Sequence, residues 1–386
     1  MNRRTWTGVV VVASAASALL AAIACSSSSL PPAAAVSTGG QCATSPGEFP
    51  IANCVPYPSD AQVCNSPALN CPTTPCTAGS PCLAMGSDNS GQTTASLRIR
   101  KLNVTAPPPL ATLFTQQAVI DKGINLYDPA PPAAQTGCGE SGDGTFNWLI
   151  QFNTMTHEVT TGGGAPTKDP FGLGYCFVDT MIEGLNVKPV TVKTTQNSDG
   201  SFTSDPLPKL YVPIFIAAGQ TGANGKSVIV LPLTNSKVEN VLLSDSNNCI
   251  GSYNANAVTP YPKATYCTDD PTSCVRWTTA GSLGGYITLS EADQVLVPQL
   301  GESLCVLLTG GSSIDTSNPN EKTCKKDASG IIAKGDFCST TQKAGGCQDA
   351  FWLAATFAAS AAKIVAPNQD SCKGVPIGGA SDAGGQ

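Results

Sequence analysis

Residues 145–153 read TFNWLIQFN. Phe146, Trp148, Ile150 and Phe152 fall on one side of an extended chain and Asn147, Gln151 and Asn153 on the other, with Leu149 as the one interruption. Successive side chains of a strand point to opposite sides, so apolar residues at every second position predict a strand with one buried face. The period recurs in SLRIRKLNV (96–104). There Leu97, Ile99, Lys101 and Asn103 alternate with Arg98, Arg100, Leu102 and Val104. Short apolar runs at 175–178, 190–195, 210–216, 228–233, 238–243 and 286–289 extend the series, and QNSDGSF (196–202) reads as a hairpin loop. Many short strands with Gly, Pro and Asn turns, and no helices alternating with them, point to antiparallel pairing rather than βαβ units. The expected fold is mainly β: an antiparallel β-sandwich of jelly-roll or lectin-like kind over residues 95–310. A cysteine-rich N-terminal arm (42–94) and short C-terminal helices complete it.

The helical expectations come from the second half. Ser290-Glu291-Ala292-Asp293 resembles a capping box with aspartate in place of glutamate. Leu300, Leu304, Leu307 and Leu308 follow at helical spacing, limited by Pro298 and stopped by Gly310-Gly311. Leu353, Phe357, Ala361 and Ile364 form the apolar stripe of a last helix between Cys347 and Cys372, too short to span a bilayer. Residues 311–386 are therefore read as a disulfide-linked helical region ending in a disordered tail, GGASDAGGQ. Leu110, Leu113 and Phe114, after three prolines, open one more short helix.

Composition narrows the class. Only 12% of the 386 residues are charged, and there are 38 glycines and 30 prolines, which suits a turn-rich extracytoplasmic protein and not a coiled coil. A net charge of −6 excludes the basic footprint that nucleic acid requires. Seventeen cysteines would be unusual in reducing cytosol unless they bound metal. No Cys-x-x-Cys pair occurs and there is a single histidine, so disulfides are the reading and zinc sites are not. Six of the cysteines lie between 42 and 82, in a stretch with no apolar period that needs staples to hold a shape.

Residues 1–24 have the three parts of a secretory signal: Arg3 and Arg4, an apolar run from Val9, then small residues. The stretch Ala22-Ile23-Ala24-Cys25 resembles the lipobox of bacterial lipoproteins. That resemblance covers residues 1–25. It implies cleavage before Cys25, a diacylglyceryl group on its sulfur and a further acyl chain on its amine. Ser26, where retained proteins carry aspartate, implies passage to the outer membrane. Ala22-x-Ala24 also satisfies an ordinary signal peptidase, and free secretion is the alternative. Setting Cys25 aside leaves sixteen cysteines, an even number. The uncharged segment SSSSLPPAAAVSTGG (26–40) reads as a tether, able to span at most about 50 Å. Residues 25–41 are thus the lipidated cysteine and its tether, and multiple acyl chains would hold it stably on a bilayer.

Catalytic motifs are scarce. GQTGANGKS (219–227) has the wrong spacing for a phosphate loop and leads into a strand, so no nucleotide is expected. His157 has no Gly-x-Ser-x-Gly partner and reads as a surface residue. Glu183, Glu291, Asp293 and Glu302 are candidates for a glycosidase carboxylate pair, which needs two acids some 5–10 Å apart, as an order of magnitude. Asp245, Asn247 and Asn248, and Asn197 with Asp199, offer oxygens to calcium, but Asx turns account for them. Trp148, Tyr211 and Trp277 could stack on sugars, although Trp148 falls on the core face. No catalytic residue, metal or cofactor is assigned. The leading expectation is a lipid-anchored envelope protein, not an enzyme, with a binding, adhesion or structural role. Its partners would be the membrane and a glycan or protein ligand. The alternatives are a carboxylate-dependent carbohydrate-active hydrolase and a small-molecule-binding envelope component. A facing carboxylate pair in a cleft would favour the first alternative, and a buried apolar pocket the second.

Overall fold

The computed structural model describes residues 87–112, 146–167, 173–215, 228–253, 277–297, 300–311, 314–318 and 321–366. Residues 1–86, which include the leader, Cys25 and the six clustered cysteines, lie outside these, as do GQTGANGKS, Leu113 with Phe114, and the tail.

β1 (Thr94–Ala106) pairs with β2 (Asn147–Asn153), which on its other edge takes β3 (Glu158–Gly164). A small hairpin of β4 (Thr180–Ile182) and β5 (Leu185–Val187) turns at Glu183-Gly184, both at positive φ. β6 (Val190–Gln196) joins β3, and β7 (Phe202–Ser204) joins β6 across the hairpin loop expected at 196–202. β8 (Leu207–Phe215) and β9 (Val228–Glu239) form a long hairpin. β10 (Cys249–Ile250) pairs with the last strand, and β11 (Ser252–Tyr253) with β12 (Trp277–Thr278). β13 (Gly281–Thr288) pairs with β9 and runs into α1 (Leu289–Ala292). Then come β14 (Leu296–Val297), its partner β15 (Glu302–Ser303) and α2 (Leu304–Leu308). Three two-residue ribbons follow: β16 (Ile314–Asp315) with β17 (Thr323–Cys324), β18 (Lys326–Asp327) with β19 (Gly330–Ile331), and β20 (Phe337–Cys338) with β21 (Lys343–Ala344). The last element among the described residues is β22 (Ala350–Ala361).

The main sheet is antiparallel, in the order β7-β6-β3-β2-β1-β22-β13-β9-β8. It curls until its ends meet, so that the layers facing each other across the core are two sides of one nearly closed barrel. Phe202 at the start of β7 exchanges both backbone hydrogen bonds with Val241 just past β9, each 2.9 Å. The Val238 amide donates to Ser204 Oγ at 3.0 Å beside that bridge. Inside, Phe152 of β2 stacks on Phe202 of β7 with ring centroids 4.3 Å apart. The inward set Phe146, Trp148, Ile150 and Phe152 is buried in this core, as the period-two reading of TFNWLIQFN requires. A fully buried side chain of this kind contributes about 1.5–3 kcal/mol.

Leu149, the interruption in that pattern, is buried as well, because the outer face is also covered there. Tyr175, Phe177 and Ala362 pack over it. The segment 175–178, expected as a strand, is instead a cover strip held by isolated bridges to Gly164 and Ile364.

The alternation in β1 changes phase. The register against β22 shifts between Ile99 and Lys101, a β-bulge. Leu97 and Ile99 point inward before it; Leu102 points into the same core after it. The sequence reading placed Leu97 and Leu102 on opposite sides, and the extra residue at the bulge brings them to one. Arg98, Arg100 and Lys101 are all at most 2% exposed. Arg98 Nε donates to Asn147 Oδ1 at 2.7 Å, and its guanidinium stands 5.6 Å from the Tyr175 ring centre.

Four further expectations are corrected. Leu353, Phe357 and Ala361 belong to β22, not to a helix. That strand lies between β1 and β13 at the middle of the sheet, and the described residues from 314 to 366 contain no helix. Its run FWLAATFAAS has helical propensity, but tertiary pairing on both edges overrides it. Runs 228–233 and 238–243 are not two strands: β9 is continuous to Glu239. The capping box uses Thr288 and Glu291, because Thr288 still has extended backbone whereas Ser290 is already helical. Asp293 closes that helix as its C-cap. The leucine helix is shorter than its spacing suggested, spanning Leu304–Leu308 behind a Ser303 cap.

The disulfides of the C-terminal part are formed. Cys305 bonds Cys324, joining α2 to β17, and Cys338 bonds Cys347; Cys176 and Cys249 are disulfide-bonded too. Such bonds place the folded chain in an oxidising, extracytoplasmic environment. Among the described residues, no helix is long and apolar enough to cross a membrane.

Candidate binding site

Two spaces lie on either side of the β8–β9 hairpin. The first is a chamber of about 140 Å³ at one end of the curled sheet. β1 supplies Leu102 and Val104, β2 supplies Phe146 and Trp148, and β9 supplies Ile229, Leu231 and Leu233. β14 and α2 close over it with Val297, Leu304 and Leu307. Among the described residues, every lining side chain is apolar. The one polar atom among them, Trp148 Nε1, is already committed to Thr161 Oγ1 at 2.8 Å. The space is about as open to solvent as the cleft described next, so it is an apolar pocket with a mouth and not a sealed cavity.

The second space is a cleft of about 410 Å³ on the outer side of the same hairpin. Tyr211, Val230 and Pro232 form its floor, the β4–β5 turn brings Glu183 and Leu185, and α1 with the residues after it brings Glu291, Gln294, Val295 and Leu296. Ile229 and Val295 border both spaces. Alternation along β9 explains this for Ile229, whose side chain faces the core between outward-facing Val228 and Val230.

The Glu291 carboxylate is held firmly. Its Oε1 accepts from Lys209 Nζ, and Oε2 accepts from Thr288 Oγ1 at 2.8 Å and the Thr288 amide at 3.2 Å. Lys209 also donates to Thr234 Oγ1 at 2.7 Å and stands 5.9 Å from the Tyr211 ring centre. Burial pushes the Glu291 carboxyl up, but the hydrogen bonds from Lys209 and Thr288 and the Lys209 charge outweigh it, so the group lies below its ordinary range. An acid held that way is a fixed anion and hydrogen-bond acceptor, not a proton donor near neutral pH.

Of the four carboxylates singled out from the sequence, the cleft unites Glu183 and Glu291 and no others. Asp293 is buried on the far side of α1. Its Oδ1 accepts from Ser303 Oγ at 3.0 Å and the Cys324 amide at 2.7 Å, and its Oδ2 faces Lys326 Nζ at 2.8 Å. Glu302 pairs with Lys322 at 2.9 Å. His157 is exposed in the β2–β3 turn at φ 51°. Asn248 is fully buried, accepting from the Asn89 amide at 2.7 Å and donating to Asp88 at 2.9 Å, which ties residues 88–89 to the loop before β10. Asp199 accepts from the amide and hydroxyl of Ser201, an Asx turn. Asp293 gathers near Cys305 and Cys324, and Asp349 near Cys338 and Cys347, but in each group the sulfurs are bonded to each other and offer no thiolate.

The chamber was not read from the sequence, since its lining depends on the bulge in β1; the phase change from Leu97-x-Ile99 to Leu102-x-Val104 is the signal that could have shown it. Lys209 gave no signal, because its partner lies 82 residues away. No protein-family model, curated protein or solved structure matches the chain.

Proposed function

We propose that this chain is an envelope protein anchored through acylated Cys25, and that its β body binds an apolar group rather than turning over a substrate. The observation that carries the binding role is the chamber, a pocket on the core side of the β8–β9 hairpin whose lining, among the described residues, is apolar throughout. The anchoring rests on Ala22-Ile23-Ala24-Cys25 and the uncharged tether, and the oxidising environment implied by the disulfides agrees with it. Among the three function classes, this favours the small-molecule-binding component over adhesion and over hydrolysis. Hydrolysis is disfavoured because it needs, beside an ionised carboxylate such as Glu291, a second carboxyl sheltered enough to act as acid, and Glu183, the other acid of the cleft, stands exposed at the tip of the β4–β5 turn.

Binding is tested by thermal denaturation with and without millimolar benzene. A ligand that binds only the folded state raises the melting temperature. Wild type should shift upward, and Ala355→Leu, which fills the chamber, should lose most of that shift. An unshifted wild type would overturn the binding role. Anchoring is tested separately, by the intact mass of the mature protein. Acyl chains on residue 25 are expected, and an unmodified cysteine there would remove the anchor.

A further inference from the structure

We infer that the outer cleft is a binding site in its own right, for one uncharged sugar ring. The inference stands apart from the chamber, which lies on the other side of the β8–β9 hairpin. At about 410 Å³ the cleft falls in the size range of small-molecule pockets. Its lining has two characters. The floor is apolar, made by the Tyr211 ring with Val230 and Pro232, while the α1 side brings Glu291 and Gln294. A sugar ring has the matching pair of surfaces: a C–H face that lies on aromatic and aliphatic side chains, and a rim of hydroxyls that seeks donors and acceptors.

The polar side is oriented before any ligand arrives. Glu291 Oε2 accepts from the Thr288 hydroxyl and amide, and Oε1 accepts from Lys209, which leaves Oε1 a second lone pair for a hydroxyl. Holding the acceptor in place lowers the cost of binding. Gln294 is exposed, and its amide both donates and accepts, as a hydroxyl does.

Charge selects against ions of either sign. Glu291 and Lys209 cancel as a pair, and Glu183 is engaged with a partner of its own. An ammonium or carboxylate entering the cleft would lose water without gaining an uncompensated counter-charge among the described residues. Hydroxyls meet no such penalty.

The test titrates the full-length protein by calorimetry with glucose, galactose, mannose and N-acetylglucosamine. The tightest of these is then offered with its 2-substituent replaced by an amine, and with its 6-hydroxymethyl group oxidised to the acid. At least one uncharged sugar should bind, about threefold or more tighter than either charged form. Gln294→Ala should weaken it about threefold or more, the worth of one hydrogen bond, with an unchanged melting temperature. Glu291→Gln keeps an acceptor oxygen but leaves the Lys209 ammonium uncompensated, so the acid form should gain on the uncharged one. The winning sugar is also offered as the end unit of an oligosaccharide: retained affinity makes a glycan chain the source, lost affinity a free sugar, and both support the site. If none of the four sugars binds, or a charged form is tightest in wild type, the inference falls. It falls too if a sugar binds but both variants leave its affinity and charge preference unchanged, because the sugar then sits elsewhere. Benzene binding in the chamber bears on none of these outcomes, so the two proposals fail separately.

Discussion

Gly163 of β3 and Pro213 of β8 touch where the curled sheet closes on itself: a Cβ at 163 would lie 2.3 Å from Pro213 Cδ and 2.6 Å from Cγ. β8, at one end of the hydrogen-bonded order, and β3, third from the other end, are thus in contact through an absent side chain and a rigid ring. Neither can yield, since proline has no rotamer to change and β3 is pinned between β2 and β6.

Gly163→Ala should therefore lower stability by about 1–3 kcal/mol, the usual range for overpacking. The denaturant midpoint is the measurement. A variant as stable as wild type would show that β3 and β8 do not press together there.

The two resolved disulfides should differ in reactivity. Cys305 and Cys324 are both at most 1% exposed, whereas Cys347 is on the surface. Under limiting dithiothreitol at neutral pH, alkylation followed by peptide mass mapping should label Cys338 and Cys347 first, with Cys305 and Cys324 protected until the fold opens. Replacing both Cys305 and Cys324 by alanine should cost about 3 kcal/mol, as expected for a loop of this length.

Acid should weaken the joint between α1 and β8. Glu291 has a folded-state pKa below its ordinary value of 4.5, so its ion pair contributes fully above that value and the contribution is lost as pH falls through the lower folded value. Melting temperature measured from pH 6 to pH 3 should decline more steeply in wild type than in Glu291→Gln, the difference appearing below about pH 4.5. Parallel curves would mean that Lys209 and Glu291 are not coupled in solution.

How far the fold can be read from the chain depends on what each residue has beside it. TFNWLIQFN is legible because β2 has one inward face, and its single exception, Leu149, marks the strip that covers the other. SLRIRKLNV is half legible: its period is visible, but a bulge is a relation between two strands, and neither strand alone reveals it. FWLAATFAAS misleads because alanine suits a helix, and only the neighbours β1 and β13 make it a strand. The glycines of β13 are the hidden complement. Gly284 leaves room for the Trp352 ring, with a Cβ there only 2.7 Å from its Cζ2. Of the candidate site, Glu183 and Glu291 could be named in advance as acids, but their meeting in one cleft depends on a hairpin and a helix far apart in sequence.

The same complement can be tested on the inner face. Gly281 lies opposite Phe357, and a Cβ at 281 would come within 2.7 Å of the ring. Gly281→Ala should destabilise by about 1–3 kcal/mol, and Phe357→Leu by about as much, since it removes part of a fully buried ring. The double variant should cost clearly less than the two combined, because the smaller residue vacates the space the methyl group needs. Strict additivity in urea unfolding would overturn this pairing.

The place of β22 governs how the molecule assembles. Its partners begin at residues 94 and 281, so neither edge can be satisfied until residues 350–361 have emerged. A nascent chain therefore carries two open strand edges until that strand pairs. Insertion of that stretch then zips both seams in one late, cooperative event. Contacts of such long sequence separation make the step slow, and during the wait the bare edges invite pairing with other chains.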